Sequence, residues 1–266
     1  MQSIALSLGL SRLVLGTTTF RNRRIQKHFM QFTEEYFKEG QVLLFDKPLN
    51  WTSFQLVNKV RWLIRKTFKI KKIKVGHAGT LDPLATGLLI ICTGKFTKRI
   101  EEFMGQEKEY TGTIVLGATT PSYDLETEID QTFSTEHLND TLIKAATAQF
   151  TGAIQQQPPV FSALKKDGKR LYEFARAGEE VEIPSRTVEI SEFEITRIEL
   201  PEVDFRVRCS KGTYIRSLAH DFGKALNSGG HLSALRRTKI GDFDVKDATS
   251  LESFEAALKQ AETSNN

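Results

Sequence analysis

The sequence predicts a mixed α+β fold, a largely antiparallel central sheet flanked by helices, and three observations carry that expectation. Strand-like and helix-like segments follow one another irregularly instead of in a strict strand-helix rhythm. Two neighbouring runs, Arg186 to Leu200 and Val203 to Cys209, alternate apolar and polar residues around a turn at Pro201, as a hairpin does. No fixed-period repeat or low-complexity tract occurs, which excludes a solenoid.

The elements follow in order. Residues 1–29 contain Arg12, Arg21, Arg23, Arg24 and Lys27 and no acid. That is the composition of an organellar transit segment, or of sequence upstream of a true start at Met30. Residues 1–39 are therefore expected to be a disordered extension, with the folded chain starting near Gly40. VLLFDK reads as a short buried strand stopped by Pro48. Thr52 or Ser53 caps a helix whose apolar positions are Phe54, Val57, Val60 and Ile64, with Trp51 and Trp62 as core residues. Leu88 to Cys92 is a continuous apolar run bounded by glycines, expected as a central strand, and a short helix from Thr97 to Met104 follows it. Glu109 to Gly117 alternates like a half-buried strand, and Glu136 to Phe150 has helical period. Gln155 to Gly178 begins as a loop stiffened by Pro158 and Pro159 and ends in an amphipathic helix. Ser210 to Leu226 opens with a Gly-Thr cap and continues as a helix. Residues 242–266 read as a short acidic tail.

Composition narrows the function classes. The chain has 266 residues, 39% apolar and 26% charged, which is ordinary globular usage and excludes a disordered chain. No stretch approaches ~18 uninterrupted apolar residues, so no membrane span is expected. Cys92 and Cys209 supply neither a disulfide framework nor a metal knuckle, and a reducing, cytoplasmic address is the default, with organellar import the alternative if the extension is real. The five histidines show no ligand spacing, and neither GxGxxG nor GxxxxGK[ST] occurs; no metal and no cofactor is expected.

Charge is informative where it is localised. From Lys47 to Leu81 there are nine Lys or Arg residues and no acid, a field that suits a polyanion, although a solvated helix face has the same signature. The loop Gly76 to Gly87, GHAGTLDPLATG, follows directly. Small residues on both sides of Asp82 let a ligand approach the backbone. Spacing alone favours a turn aspartate there, since Asp-Pro is a common turn former; a nucleophile or general base is the competing reading.

GHAGTLDPLATG, preceded by DKPLNWTS and followed by KEYTGTIVLG, PPVFSALKKDGKRLYEFARAG and CSKGTYIRSLAHDFG, resembles the TruB-type tRNA pseudouridine synthases, five blocks in the same order over about Val42 to Ile240. The resemblance implies the pseudouridine synthase fold across residues 40–241, with a thumb-like insertion at 155–185. It implies isomerisation of uridine 55 in the T loop of elongator tRNAs, by base flipping and without a cofactor. Asp82 takes the family's role of catalytic aspartate, and Arg216 that of the arginine pairing with it, which should lower the carboxyl's pKa. Tyr110 resembles the tyrosine that stacks on the target base, a candidate proton acceptor. Tyr214 lines the pocket, and Leu235 packs on the base's other face. His77 resembles the histidine that fills the vacated space in the T loop. Lys47 supports the site or touches RNA, and Asp124 is a site-adjacent aspartate. Lys71, Lys72 and Lys74, with Lys165 and Lys169 on the insertion, are expected to follow phosphates. The 26 residues after Ile240 leave no room for the family's C-terminal PUA domain, which favours a stand-alone monomer without an obligate protein partner. A tRNA-folding chaperone with incidental catalysis is the alternative function.

Overall fold

The computed structural model describes residues 32–264 apart from Ala163, Asp167 and Glu180; the expectations placed on residues 1–31 lie outside this range. In chain order the elements are α1 (Glu34–Glu39), β1 (Val42–Lys47), α2 (Ser53–Thr67), β2 (Val75–His77), β3 (Ala85–Thr93), a 3-10 turn (Gly94–Arg99) leading into α3 (Ile100–Met104), β4 (Lys108–Leu116), α4 (Asp140–Ala146), β5 (Gly152–Gln156), α5 (Leu171–Ala177), β6 (Arg186–Glu199), β7 (Glu202–Cys209), α6 (Ile215–Ala225), β8 (Gly230–Ile240) and α7 (Leu251–Ser264).

Seven strands form the path β1-β3-β8-β4-β7-β6-β5 through one sheet, with β2 beside β3. Every pairing along it is antiparallel except β3 with β8, where Leu235 lies opposite Ala85 and Arg237 opposite Gly87. The expected largely antiparallel α+β sheet is what forms. Strand β3 is buried on both faces, which explains its unbroken apolar run. Leu89 and Ile91 join a cluster built from α1, α2 and α7, while Leu88, Ile90 and Cys92 join Phe103 and Ile240. A third cluster packs Leu218 and Phe222 of α6 on Ile114, Phe193, Phe205 and Leu232 of the sheet.

Several expectations are corrected. The fold begins before Gly40: Phe37 of α1 is fully buried among the aromatic rings of Phe68 and Phe254. Thr52 does cap α2, in a reciprocal capping box with Gln55. The buried face, however, carries Leu56, Val57, Val60, Leu63 and Ile64, leaving Phe54 and Trp62 exposed, the latter beneath the ammonium groups of Lys59 and Lys66. The helix expected from Glu136 starts only at Asp140, because the Asn139 side chain accepts from the Leu142 amide and sets the N-terminus there. Helix α6 starts at Ile215; Gly212 and Thr213 instead form the turn before it, with φ +85° at Gly212 and the Thr213 hydroxyl donating to Ser210 O. Residues 251–264 are not a loose tail. Leu251, Phe254, Leu258 and Ala261 recur at helical spacing and are buried, while Glu252 and Glu262 face solvent. Three strands that the sequence reading did not single out, β2, β5 and β8, complete the sheet.

Candidate active site

Asp82 sits in the loop between β2 and β3, and the surrounding elements fix that loop almost carbonyl by carbonyl. Arg237 of β8 is buried to 1% and donates to Gly79 O at 3.0 Å, Thr80 O at 3.4 Å and Leu88 O at 2.8 Å. Ser53, the first residue of α2, donates its hydroxyl to Leu81 O at 3.0 Å and accepts from Leu81 N at 2.8 Å. Pro83 O accepts from Asn50 N at 2.9 Å and from the Lys47 ammonium at 3.4 Å. Asp82 O itself accepts from Ala85 N, closing the turn. The carboxylate is thus presented by a backbone with little freedom left, the condition for a preorganised reacting group.

Arg216, one residue into α6, meets that carboxylate. Its Nη2 lies 3.0 Å from Asp82 Oδ2 and donates to Phe161 O at 2.9 Å, while Nη1 donates to Ser122 O at 3.2 Å and lies 3.6 Å from Asp124 Oδ2. One guanidinium therefore ties together the Asp82 loop, the Asp124 loop and the inserted segment. The pair lowers the Asp82 pKa as expected, but it does not set the net direction. Burial pushes the carboxyl above its ordinary value; Arg216 pulls it down, but Asp124 and Glu126 add to the rise.

A cleft of about 610 Å³ opens beside Asp82 and brings Tyr110, Tyr214, Arg216, Leu235 and Arg237 to one surface. Tyr110 stands on β4 opposite Arg237. Burial raises its pKa and outweighs that cation, so it stays a neutral phenol with a flat face. Tyr214 caps the start of α6, its backbone held on both sides by the Gln156 side chain and its ring covered by the Arg186 guanidinium at 4.8 Å. Leu235 reaches the cleft because a bulge between Leu232 and Ala234 in β8 resets the strand's alternation, so that Leu232 stays in the core.

The remaining candidates are placed differently. Asp124 lines a small recess adjoining the cleft, with Asp82, Arg216 and Leu235. Lys47 is fully buried, donating to Pro48 O at 3.0 Å and Trp51 O at 2.6 Å as well as to Pro83 O. Its three protons are spent on the scaffold, which agrees with the supporting role and not with contact to RNA. Burial lowers its pKa to about 8. His77 is half-buried on β2 and does not line the cleft; burial, then Arg237, lowers its pKa, so it is neutral at pH 7. Lys71, Lys72 and Lys74 are exposed between α2 and β2, and Lys165 and Lys169 are exposed on a two-residue hairpin of the inserted segment.

Arg237 and Ser53 were missed by the sequence reading. Arg237 shares the face of β8 that carries Leu235, and a guanidinium on an inward face is costly unless it is fully bonded, which was the available signal. Among the described residues, no group of three or more His, Cys, Asp or Glu side chains is arranged to hold a metal, and no helix is long and apolar enough to cross a membrane.

Comparison with known proteins agrees with this geometry. The family model described as TruB family pseudouridylate synthase (N terminal domain) matches residues 65–215, and that described as tRNA pseudouridylate synthase B C-terminal domain matches residues 216–266. The chain is 69% identical over 228 residues to a protein of Flavobacterium johnsoniae named tRNA pseudouridine synthase B, covering 85% of this chain and 100% of that one. A protein of the same name from Phocaeicola vulgatus is 60% identical, covering 85% of this chain and 96% of that one. Among solved structures, a chain from the crystal structure of a Cbf5-Nop10-Gar1 complex matches with TM-score 0.63 at 30% identity, over 84% of this chain and 55% of that chain. Loop, cleft, family models and relatives converge: the chain belongs to the TruB family of pseudouridylate synthases.

Proposed function

We propose that the chain is a tRNA pseudouridine synthase that converts uridine 55 in the T loop of elongator tRNAs to pseudouridine, acting in the cytoplasm as a monomer. The observation that carries this reading is the Asp82 carboxylate, held 3.0 Å from Arg216 beside a cleft that also presents Tyr110, Tyr214 and Leu235. The relatives' printed name supplies tRNA as the substrate class.

The target base is stacked inside a folded loop, and reaching it requires extrusion at a cost of a few kcal/mol. The vacated space takes the His77 ring, and the extruded uracil lies between the Tyr110 face and the Leu235 side chain, with Tyr214 alongside. Asp82 acts as the ionised nucleophile on the ring or on ribose C1′. The bond between N1 and C1′ breaks, C5 bonds to C1′, the C5 proton leaves to a base in the site, and N1 gains a proton; no atom is gained or lost. Tyr110, a neutral phenol, is placed to relay that proton through its oxygen. Asp124 steadies Arg216. The segment 155–185 closes over the loop as a thumb, with Lys165 and Lys169 following phosphates, as Lys71, Lys72 and Lys74 do on the opposite approach.

The test is incubation with an unmodified T-stem-loop RNA, followed by carbodiimide labelling of pseudouridine. The expected result is a single labelled site at the position of uridine 55. An RNA that is bound but never labelled would overturn the enzyme reading in favour of a chaperone.

A further inference from the structure

The Thr120–Thr127 segment carries Asp124 to Arg216 on a turn closed by its own hydrogen bonds, Tyr123 N donating to Thr120 O and Ser122 N to the Thr127 hydroxyl, each at 3.1 Å. The Thr120 and Ser122 hydroxyls donate to Asp124 O at 2.7 and 3.1 Å, and Glu126 N donates to Asp124 Oδ1 at 3.0 Å. Between them, Tyr123 takes a left-handed backbone with φ +64°, which is unfavourable for any side chain larger than glycine. Two contacts from outside the segment brace it there. Tyr123 O accepts from Leu232 N at 3.0 Å, and the Tyr123 ring lies flat on the His220 imidazole, with centroids 4.0 Å apart and planes at 16°.

His220 follows Arg216 by four residues on α6, so both side chains rise from one face of that helix. Arg216 grips the segment at Ser122 O and at the Asp124 carboxylate. His220 grips the residue between them. Burial and the nearby Lys224 keep the imidazole neutral, with Asp130 opposing, so the stacked ring carries no charge that needs solvent. We propose that the Tyr123–His220 stack is a positioning device: it locks the strained loop in the one conformation that sets Asp124 against Arg216, and through Arg216 it orients the Asp82 carboxylate. Neither ring lines the Asp82 cleft, so both act through Arg216 and not on the base.

This inference rests on the isomerase reading, and its test separates the two. Single-turnover conversion of a T-stem-loop RNA is measured for the wild type, Y123A, Y123F, H220A, D124N and the Y123A/D124N double variant, with RNA affinity and melting temperature alongside. Y123A and H220A are expected to slow conversion about ten- to hundredfold, the scale for a misplaced reacting group, with RNA affinity within about twofold of wild type. Y123F, which keeps the stack, is expected to restore the rate. Because the stack acts through Asp124, the double variant is expected to be no slower than the slower single variant. If Y123A does not fold, H220A and Y123L carry the same comparison. Y123A converting within about twofold of wild type, or losses that multiply in the double variant, would overturn the positioning role while leaving the isomerase reading intact. A folded wild-type enzyme that converts nothing would overturn the isomerase reading itself.

Discussion

Replacing Arg216 with Met should move the acid limb of the pH–rate profile upward. In the wild type the Arg216 cation lies 3.0 Å from Asp82 Oδ2 and opposes the rise in pKa that burial, Asp124 and Glu126 impose. At an effective dielectric of about 20, two unit charges at this range attract by roughly 5 kcal/mol. The Asp82 side chain is 42% exposed, so solvent screens much of that attraction. What remains still holds the carboxyl below the value that burial and the two neighbouring acids alone would give it. In the proposed mechanism the ionised carboxylate is the reactive form, and removing the cation raises the pH at which it ionises. The rate deficit of the variant should therefore be largest at mildly acidic pH and shrink toward mildly alkaline pH, as Asp82 regains its charge. Arg216→Lys should shift the limb less, since an ammonium keeps the charge but cannot bridge two carboxylates and two carbonyls at once. The assay is single-turnover pseudouridine formation across that pH range at saturating enzyme. An acid limb that stays in place, with an equal deficit at every pH, would refute electrostatic control of Asp82 by Arg216.

Three further outcomes test the scaffold and the binding surface. A Cβ at Gly87, where φ is +102°, would lie 2.3 Å from Arg237 O, so Gly87→Ala should cost upwards of about 1–3 kcal/mol from backbone strain alone; a melting temperature within a degree of wild type would contradict this. Phe254 is 4% exposed and packs its ring on Phe45 and Phe37, so Phe254→Ala should destabilise by about 3–5 kcal/mol in urea unfolding, whereas an independent tail would show no change. Neutralising Lys71, Lys72 and Lys74 together should weaken T-stem-loop binding and flatten its salt dependence by about 2–3 in slope; an unchanged slope would place these side chains away from phosphates.

The strands and helices that carry a plain apolar period were legible from the sequence, β1, β3, β4 and the β6–β7 hairpin above all. Residue spacing alone favoured a turn aspartate at Asp82, and the structure shows what spacing could not: its carbonyl closes a turn while its carboxylate meets Arg216. What escaped the sequence reading depends on contacts made far along the chain. Strand β8 pairs with β3 across some 150 residues, and its two bulges break the alternation that would have marked it. Arg237 was passed over, because its partners are backbone carbonyls that no side-chain pattern encodes. The choice for Lys47 between supporting the site and touching RNA stayed open because its burial comes from the turn at Pro48 to Trp51 folding over it. The acidic composition of residues 242–266 hid a helix whose apolar stripe is only four residues long, Leu251, Phe254, Leu258 and Ala261.

The most direct test of the account is Asp82→Asn, which preserves the size of the side chain and an oxygen facing Arg216 but removes the charge. The account predicts that this variant binds a T-stem-loop RNA within about threefold of wild type, since phosphate contacts carry most of the affinity, and forms no pseudouridine in single turnover. Conversion at a rate near wild type would contradict it, and with it the assignment of Asp82 as the group that does the chemistry.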